Sequence, residues 1–187
     1  TAGYSHQKNY AEHQVPNYDK SLGTLEYRFS NAGVQQMAYL ALALSEQNIT
    51  KWWTVTLNAN YMFTHFRAYP NPNLLAFNDY SKSSQSFNGY ASTTFYLPKE
   101  FKFSIDGWGM TPVTAGYFTV AGMWLLNASF SKSFLDGRAN LTLRVNDIFK
   151  SMNQNLSLWD GDVETMKMID LPSNRGISLG FTYNFGK

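Results

Sequence analysis

Apolar and small polar residues alternate along most of this chain, and turn-forming residues separate the alternating stretches. The last stretch shows the pattern most clearly, with apolar side chains at Ile177, Leu179, Phe181, Tyr183 and Phe185. Successive side chains of a β-strand point to opposite faces of a sheet, so this alternation predicts strands with one apolar face and one polar face. The pattern therefore predicts an all-β protein built from antiparallel strands.

The alternating stretches predict roughly eight strands. They are residues 2–15, 22–44, 51–67, 85–97, 100–110, 117–132, 138–149 and 175–185. The second is long for a strand and could break near residues 30–33. The connections differ in length: the long ones are 68–84 and 150–174, and the short ones are 45–50, 98–99, 111–116 and 134–137.

Six of these stretches contain an apolar stripe without any charged residue, for example from Trp53 to Phe63 and from Phe118 to Phe130. A lipid surface requires this, whereas a surface in water does not. The polar sides carry Ser, Thr, Asn and Gly rather than Lys or Glu, which disfavours a soluble β-sandwich or a lipocalin-like barrel. The pattern instead favours transmembrane β-barrel strands in a bacterial outer membrane, with lipids against the apolar side.

The composition of the 187 residues agrees with this interpretation, because charged residues are only 15% and aromatic residues reach 17%. Ordinary soluble domains hold roughly 25% charged residues. The longest apolar run, residues 37–44, is far shorter than the roughly 18 residues of a membrane-spanning helix. The net charge of +2 without Lys and Arg clustering gives no reason to expect nucleic acid as a partner.

The chain has no cysteine, which excludes disulfides and Cys-based metal sites.

The lengths of the connections also predict an orientation, because outer-membrane barrels have short periplasmic turns and longer outer loops. The last strand then runs toward the periplasm. Aromatic side chains at the strand ends are expected at the two membrane interfaces. They are Trp52, Trp53, Phe134 and Phe185 on the periplasmic side and Phe66, Tyr69, Tyr117 and Phe149 on the outer side.

Segments at the end of the chain resemble a known family. They are SKSFLDGRANLTLRVNDIFKSM and RGISLGFTYNFGK, and the earlier ITKWWTVTLNANYMF is similar to the family's strand after a periplasmic turn. These segments resemble the carboxy-terminal end of TonB-dependent receptors of the Bacteroidetes type, in the outer-membrane β-barrel family. The resemblance implies nutrient uptake, with the plug domain and the TonB-contacting segment lying outside these residues.

The resemblance also implies a role for the last strand and a set of partners. In the family, the barrel-insertion machinery recognises a terminal strand of alternating apolar residues that ends in an aromatic residue. The matching insertion-signal residues here are Ile177, Leu179, Phe181, Tyr183 and Phe185, although Gly186 and Lys187 follow the last aromatic. The implied partners are this machinery, the remainder of the barrel or another chain, and a surface lipoprotein.

Two interpretations of the chain remain open. Family members are far longer and form barrels of about 22 strands, so residues 1–187 would be a single segment from the C-terminal part of one barrel. Eight strands can also close into a small barrel with a structural or adhesion role, but its narrow interior must be filled by its own large or charged side chains. The inward residues here are mostly small, with Lys102, Asp106 and Arg144 among the few charges, which favours the wider barrel.

Few residues suggest chemistry. His6, His13 and His65 lack metal-binding spacing, and no catalytic Ser and His pattern is visible, so we expect neither an enzyme nor a cofactor. The last long connection holds the candidate ligand-contact residues, Trp159, Asp160, Asp162 and Glu164. A Trp ring can stack on a sugar. Alternating carboxylates could bind calcium, but the EF-hand pattern is absent and acidic outer loops are ordinary.

Overall fold

The computed structural model describes residues 1–19, 22–69, 81–116, 118–152, 154–160, 163–170 and 175–185. The strands in these residues pair antiparallel throughout, which confirms the predicted all-β class. No helix in these ranges is long and apolar enough to cross a membrane.

Twelve strands follow one another along the described chain. They are β1 (Ala2–Asp19), β2 (Thr24–Thr50), β3 (Trp53–Ala68), β4 (Ser81–Leu97), β5 (Phe101–Met110), β6 (Val113–Ala115), β7 (Phe118–Val120), β8 (Met123–Phe134), β9 (Ala139–Asn146), β10 (Gln154–Asp160), β11 (Val163–Asp170) and β12 (Gly176–Tyr183). Eight of them form the larger sheet, in the order β1-β2-β3-β4-β5-β8-β9-β12. This number agrees with the sequence prediction.

The sequence prediction was wrong about several connections. β2 continues to Thr50 without a break near residues 30–33, and only Lys51 and Trp52 form the turn into β3. The predicted strand 117–132 is divided, because β7 belongs to a second sheet and β8 to the larger one. Segments 111–116 and 150–174, expected as connections, contain β6 and the β10–β11 hairpin. β6 and β7 have three residues each, too few for the alternation on which the prediction depended.

The second sheet has the order β11-β10-β7-β6, and its edge strand β6 is bound to the larger sheet. The Thr64 hydroxyl of β3 donates to the carbonyl oxygen of Thr114 at 3.2 Å. The amide nitrogen of Thr114 donates to the Ser84 hydroxyl of β4 at 2.9 Å. Thr64 is buried beside these contacts. The second sheet is therefore held to β3 and β4 through β6.

Directly paired residues lie on one face of a sheet, so the register assigns every side chain to a face. The apolar face carries Leu40, Leu42, Leu57, Tyr61, Phe87, Phe95, Phe103, Ile105, Trp124, Phe130, Leu141, Leu143, Ile177, Leu179 and Phe181. The polar face carries Asn58, Asn60, Thr64, Ser84, Asn88, Ser92, Thr94, Ser104, Asp106, Asn127, Ser129, Thr142, Arg144, Ser178 and Thr182. The faces therefore separate as the alternation predicted.

The apolar face is exposed rather than packed. Leu42 is 62% exposed and Trp124 is 50% exposed, although both lie on inner strands of the sheet. In the described residues, the buried apolar side chains are Phe66, Ala68, Met123 and Ala139. A contiguous apolar surface of this extent is unfavourable in water and indicates another environment against this face.

Candidate functional site

Side-chain hydrogen bonds run across the polar face from strand to strand. Asn60 of β3 donates to Asn88 of β4 through its amide group at 2.9 Å. The hydroxyls of Thr94 on β4 and Ser104 on β5 lie 2.9 Å apart. These contacts join side chains that can also bind water, so the polar face resembles the wall of a wet interior rather than a packed core.

Asp106 is the centre of a charged hydrogen-bond network on this face. Its carboxylate accepts hydrogen bonds from the guanidinium of Arg144 at 3.2 and 3.3 Å and from the Asn127 amide at 2.7 Å. Arg144 also donates to the Asn146 side chain at 2.7 Å. The charge of Asp106 is therefore fully paired, and its carboxylate links β5, β8 and β9.

Asp147, just after β9, organises the start of the long connection. Its buried carboxylate accepts hydrogen bonds from the Ser151 amide at 2.9 Å, the Ser151 hydroxyl at 3.1 Å and the Met152 amide at 3.3 Å. Burial acts to raise the pKa of Asp147, but these hydrogen bonds and the charge of Arg175 outweigh it and lower the pKa below 3.8. The Asp147 amide donates to Asn127, which ties this turn to the Asp106 network.

The predicted ligand-contact residues lie in the second sheet. Trp159 and Asp160 are at the end of β10, and Glu164 is on β11, where it pairs with Trp159 in the backbone register. Asp162 lies outside the described residues. The hairpin places Trp159, Asp160 and Glu164 near its tip and joins them, through β7 and β6, to the polar face of β3 and β4. Sequence reasoning missed the threonines that make this attachment, Thr111, Thr114 and Thr119, because isolated hydroxyls carry no pattern.

No group of three or more His, Cys, Asp or Glu side chains that could hold a metal ion occurs in the part of the chain that the structure describes.

The predicted insertion-signal residues lie on β12 and just after it. Ile177, Leu179 and Phe181 are 76%, 69% and 67% exposed on the apolar face. Tyr183 contacts Phe185 edge to face, with ring centroids 4.7 Å apart. β12 is the last strand of the larger sheet and pairs with β9. Its other edge has no partner strand within the described ranges.

Aromatic rings form a row at the short-turn end of the apolar face. The rings of Trp53 and Phe95 stack at 6.1 Å, and those of Phe95 and Phe103 stack at 6.3 Å. Phe103 pairs with Phe130 on the next strand. The prediction that Trp53 belongs to an interface girdle agrees with this row. The same prediction for Phe66 was wrong, because Phe66 lies on the polar side and is 3% exposed. Tyr117 lies outside the described residues.

The apolar face has the height of a membrane. On β3 it extends from Trp53 to Phe63, and on β4 from Leu97 to Phe87. Ten residues span about 33 Å along a strand, which a tilt of about 40° reduces to about 25 Å, the height of the apolar band on outer-membrane barrels. Polar residues continue beyond both ends of this band, as His65 shows on β3.

An exposed apolar band, a hydrogen-bonded polar face and antiparallel strands define a transmembrane β-barrel protein of the bacterial outer membrane. A sequence model of the outer membrane protein beta-barrel family matches residues 1–183, and the chain belongs to that family. Comparison with curated proteins and with solved structures gives no significant match. The protein is therefore located in the bacterial outer membrane.

Proposed function

We propose that residues 1–187 form the C-terminal part of the barrel of a TonB-dependent receptor that takes up nutrients. The observation that supports this most is the openness of the larger sheet, whose edge strands β1 and β12 lie at opposite ends of the strand order. An open edge in a bilayer leaves backbone N–H and C=O groups unsatisfied, at several kcal/mol each. In a receptor barrel, further strands cover both edges, whereas in a small barrel β1 and β12 cover each other.

The small side chains of the polar face favour a wide interior over a narrow one. A self-filled small barrel needs bulky inward groups. The inward residues of β3, β4 and β9 are mainly Ser, Thr and Asn, which leave room for water and for a plug. We propose that the second sheet, held over this face by β6, contributes to the solute path.

We further propose that Trp159, Asp160 and Glu164 of the β10–β11 hairpin, together with Asp162, contact the nutrient or a surface lipoprotein. The connection between β9 and β12 leaves the end of the sheet opposite the short turns, which is the outer end by the rule of short periplasmic turns. The proposed signal for the insertion machinery then consists of β12 and the residue after its end, with Ile177, Leu179, Phe181, Tyr183 and Phe185. The alternative is a complete eight-stranded barrel that anchors outer loops in a structural or adhesion role.

Disulfide cross-linking in the full-length protein in native membranes separates the two functions. Residues 1–187 contain no cysteine, so no native cysteine in this part can form a disulfide that competes with the introduced pairs. Ser5→Cys on β1 is combined in turn with Ser178→Cys, Gly180→Cys and Thr182→Cys on β12, all on the polar side. Asn60→Cys with Asn88→Cys is the matched control, because these side chains touch at 2.9 Å.

The receptor proposal predicts that the control pair cross-links and that none of the β1–β12 pairs does. Cross-linking of any β1–β12 pair in the monomer would show that the sheet closes on itself and would favour the small barrel. The second measurement is nutrient uptake in the same strains. The receptor proposal predicts energy-dependent uptake, which a small barrel that closes on itself would leave unexplained.

A further inference from the structure

Basic and hydroxyl side chains form two adjacent rows on the apolar side, beyond the outer end of the apolar band. His6 of β1 pairs with Gln36, Gln36 with His65 of β3, and His65 with Ser83 of β4. One step further from the short turns, Lys8, Val34, Arg67 and Ser81 are paired in the same way. Both rows therefore face the same side as the apolar band.

The height of these rows places them at the lipid headgroups. Phe63 is the last apolar outward residue of β3, and His65 and Arg67 are the next two outward positions. Each step of two residues adds about 5 Å of height at a tilt of about 40°. The side chains of His65 and Arg67 thus lie within about 10 Å of the end of the apolar band, where phosphate groups of a membrane are found.

The Lys and Arg side chains of the two rows are available to a ligand. Lys8 and Arg67 are exposed, and within the described residues neither forms an ion pair with an acidic side chain. Their strands are separated only by β2, so their backbones lie about 10 Å apart, within reach of one anionic group for two long side chains. Arg also binds phosphate oxygens in a bidentate manner.

The other polar members of the rows suit a sugar. The Nδ1 atom of His65 lies 2.9 Å from the Ser83 hydroxyl, so these two side chains form a fixed polar pair beside the cations. Gln36 and Ser81 add an amide and a hydroxyl on the same side. Such groups can exchange hydrogen bonds with sugar hydroxyls, which a simple phosphodiester headgroup lacks.

From this arrangement we propose that His6, Lys8, His65 and Arg67 bind the phosphorylated sugar headgroup of an outer-leaflet glycolipid, whose acyl chains lie on the apolar band below. Lys8 and Arg67 hold the phosphate, and Gln36, His65 and the two serines contact the sugar. The inference needs the membrane location of the chain and the orientation given by the short periplasmic turns, and it holds for either function of the barrel.

The test is native mass spectrometry of the full-length protein, purified in a neutral detergent and washed free of lipid. The probes are diphosphorylated lipid A, the same lipid after enzymatic removal of both phosphates, and phosphatidylglycerol. The variants are Lys8→Gln/Arg67→Gln, the charge-conserving Lys8→Arg/Arg67→Lys, and Lys132→Gln. Lys132 is the matched control, because it lies on the same side at the short-turn end, over the rings of Phe101 and Phe134.

We expect Lys8→Gln/Arg67→Gln to weaken binding of diphosphorylated lipid A at least tenfold and to leave the dephosphorylated lipid unaffected. The charge-conserving variant and Lys132→Gln should bind within twofold of the unaltered protein. Equal binding by Lys8→Gln/Arg67→Gln, or an equal loss in Lys132→Gln, would overturn the site. Phosphatidylglycerol binding as tight as that of lipid A, with the same loss in the variant, would overturn the choice of a glycolipid. If the neutral variant does not fold, tenfold weaker binding by the folded charge-conserving variant would also overturn the proposal.

Discussion

Arg144 and Asp106 form an ion pair across an intervening strand. The Nη2 atom of Arg144 on β9 lies 3.2 Å from Oδ1 of Asp106 on β5, and β8 runs between them. Asn127 of β8 donates to the other carboxylate oxygen at 2.7 Å. The carboxylate therefore ties three neighbouring strands on the polar face.

Arg144→Met should lower the free energy of unfolding by about 1 kcal/mol. The effect is modest because the Arg144 side chain is 41% exposed and solvent screens the pair. Urea unfolding in detergent micelles, followed by Trp fluorescence, measures it. A double-variant cycle with Asp106→Asn should give a coupling of roughly 0.5–1 kcal/mol. Strictly additive effects of the two substitutions on the free energy of unfolding would contradict the pairing. Arg138→Met in an exposed turn is the control and should change this free energy by less than about 0.5 kcal/mol.

Leu143→Arg should impair folding far more than Thr142→Arg at the neighbouring position. Leu143 lies between Phe130 and Leu179 on the apolar face, whereas Thr142 lies on the polar face. Arg costs about 2–4 kcal/mol near the membrane midplane and little against a wet interior. The yield of heat-modifiable protein on gels measures the difference. Equal yields from the two variants would refute the assignment of the faces.

The turn at Asp147 should loosen in acid. The pKa of Asp147 is lowered in the folded protein, so its stabilising contribution is present above its ordinary value of 3.8 and is lost as the pH falls through the lowered pKa. Hydrogen exchange of the Ser151 and Met152 amides, compared between pH 5 and pH 2 after correction for intrinsic rates, should show reduced protection at the lower pH. Asp147→Asn should reduce protection at both pH values and abolish the dependence, and Asp136→Asn in an exposed turn should leave it intact.

Gly33→Ala should destabilise the pairing of β2 with β3. A Cβ atom at Gly33 would overlap the carbonyl oxygen of Arg67 and lie 2.9 Å from Cα of Ala68, both of which belong to the backbone. We expect a loss of about 1–3 kcal/mol in urea unfolding, since the strands must separate to accept the methyl group. Gly176→Ala is the control, because nothing lies within 4 Å of its Cβ position. A Gly33→Ala protein as stable as this control would contradict the close approach.

The alternation of the sequence by itself determined the strands of the larger sheet and both of its faces. Leu143 and Leu179, for example, were assigned to the lipid side from spacing alone, and the register places them as a direct pair on the apolar face. This assignment is possible because side chains alternate between the two faces of a strand and charged side chains are unfavourable against lipid. The type of residue therefore indicates the face on which it lies.

Only the tertiary structure decided which strands became neighbours beyond the larger sheet and which polar groups met. The short strands β6 and β7 each have three residues, too few for a pattern, and their place depends on hydroxyl contacts such as that of Thr64 with Thr114. The pairing of Asp106 with Arg144 and the row shared by Lys8 and Arg67 join residues 38 and 59 positions apart in sequence. Such contacts depend on the register of several strands at once, which local spacing does not specify.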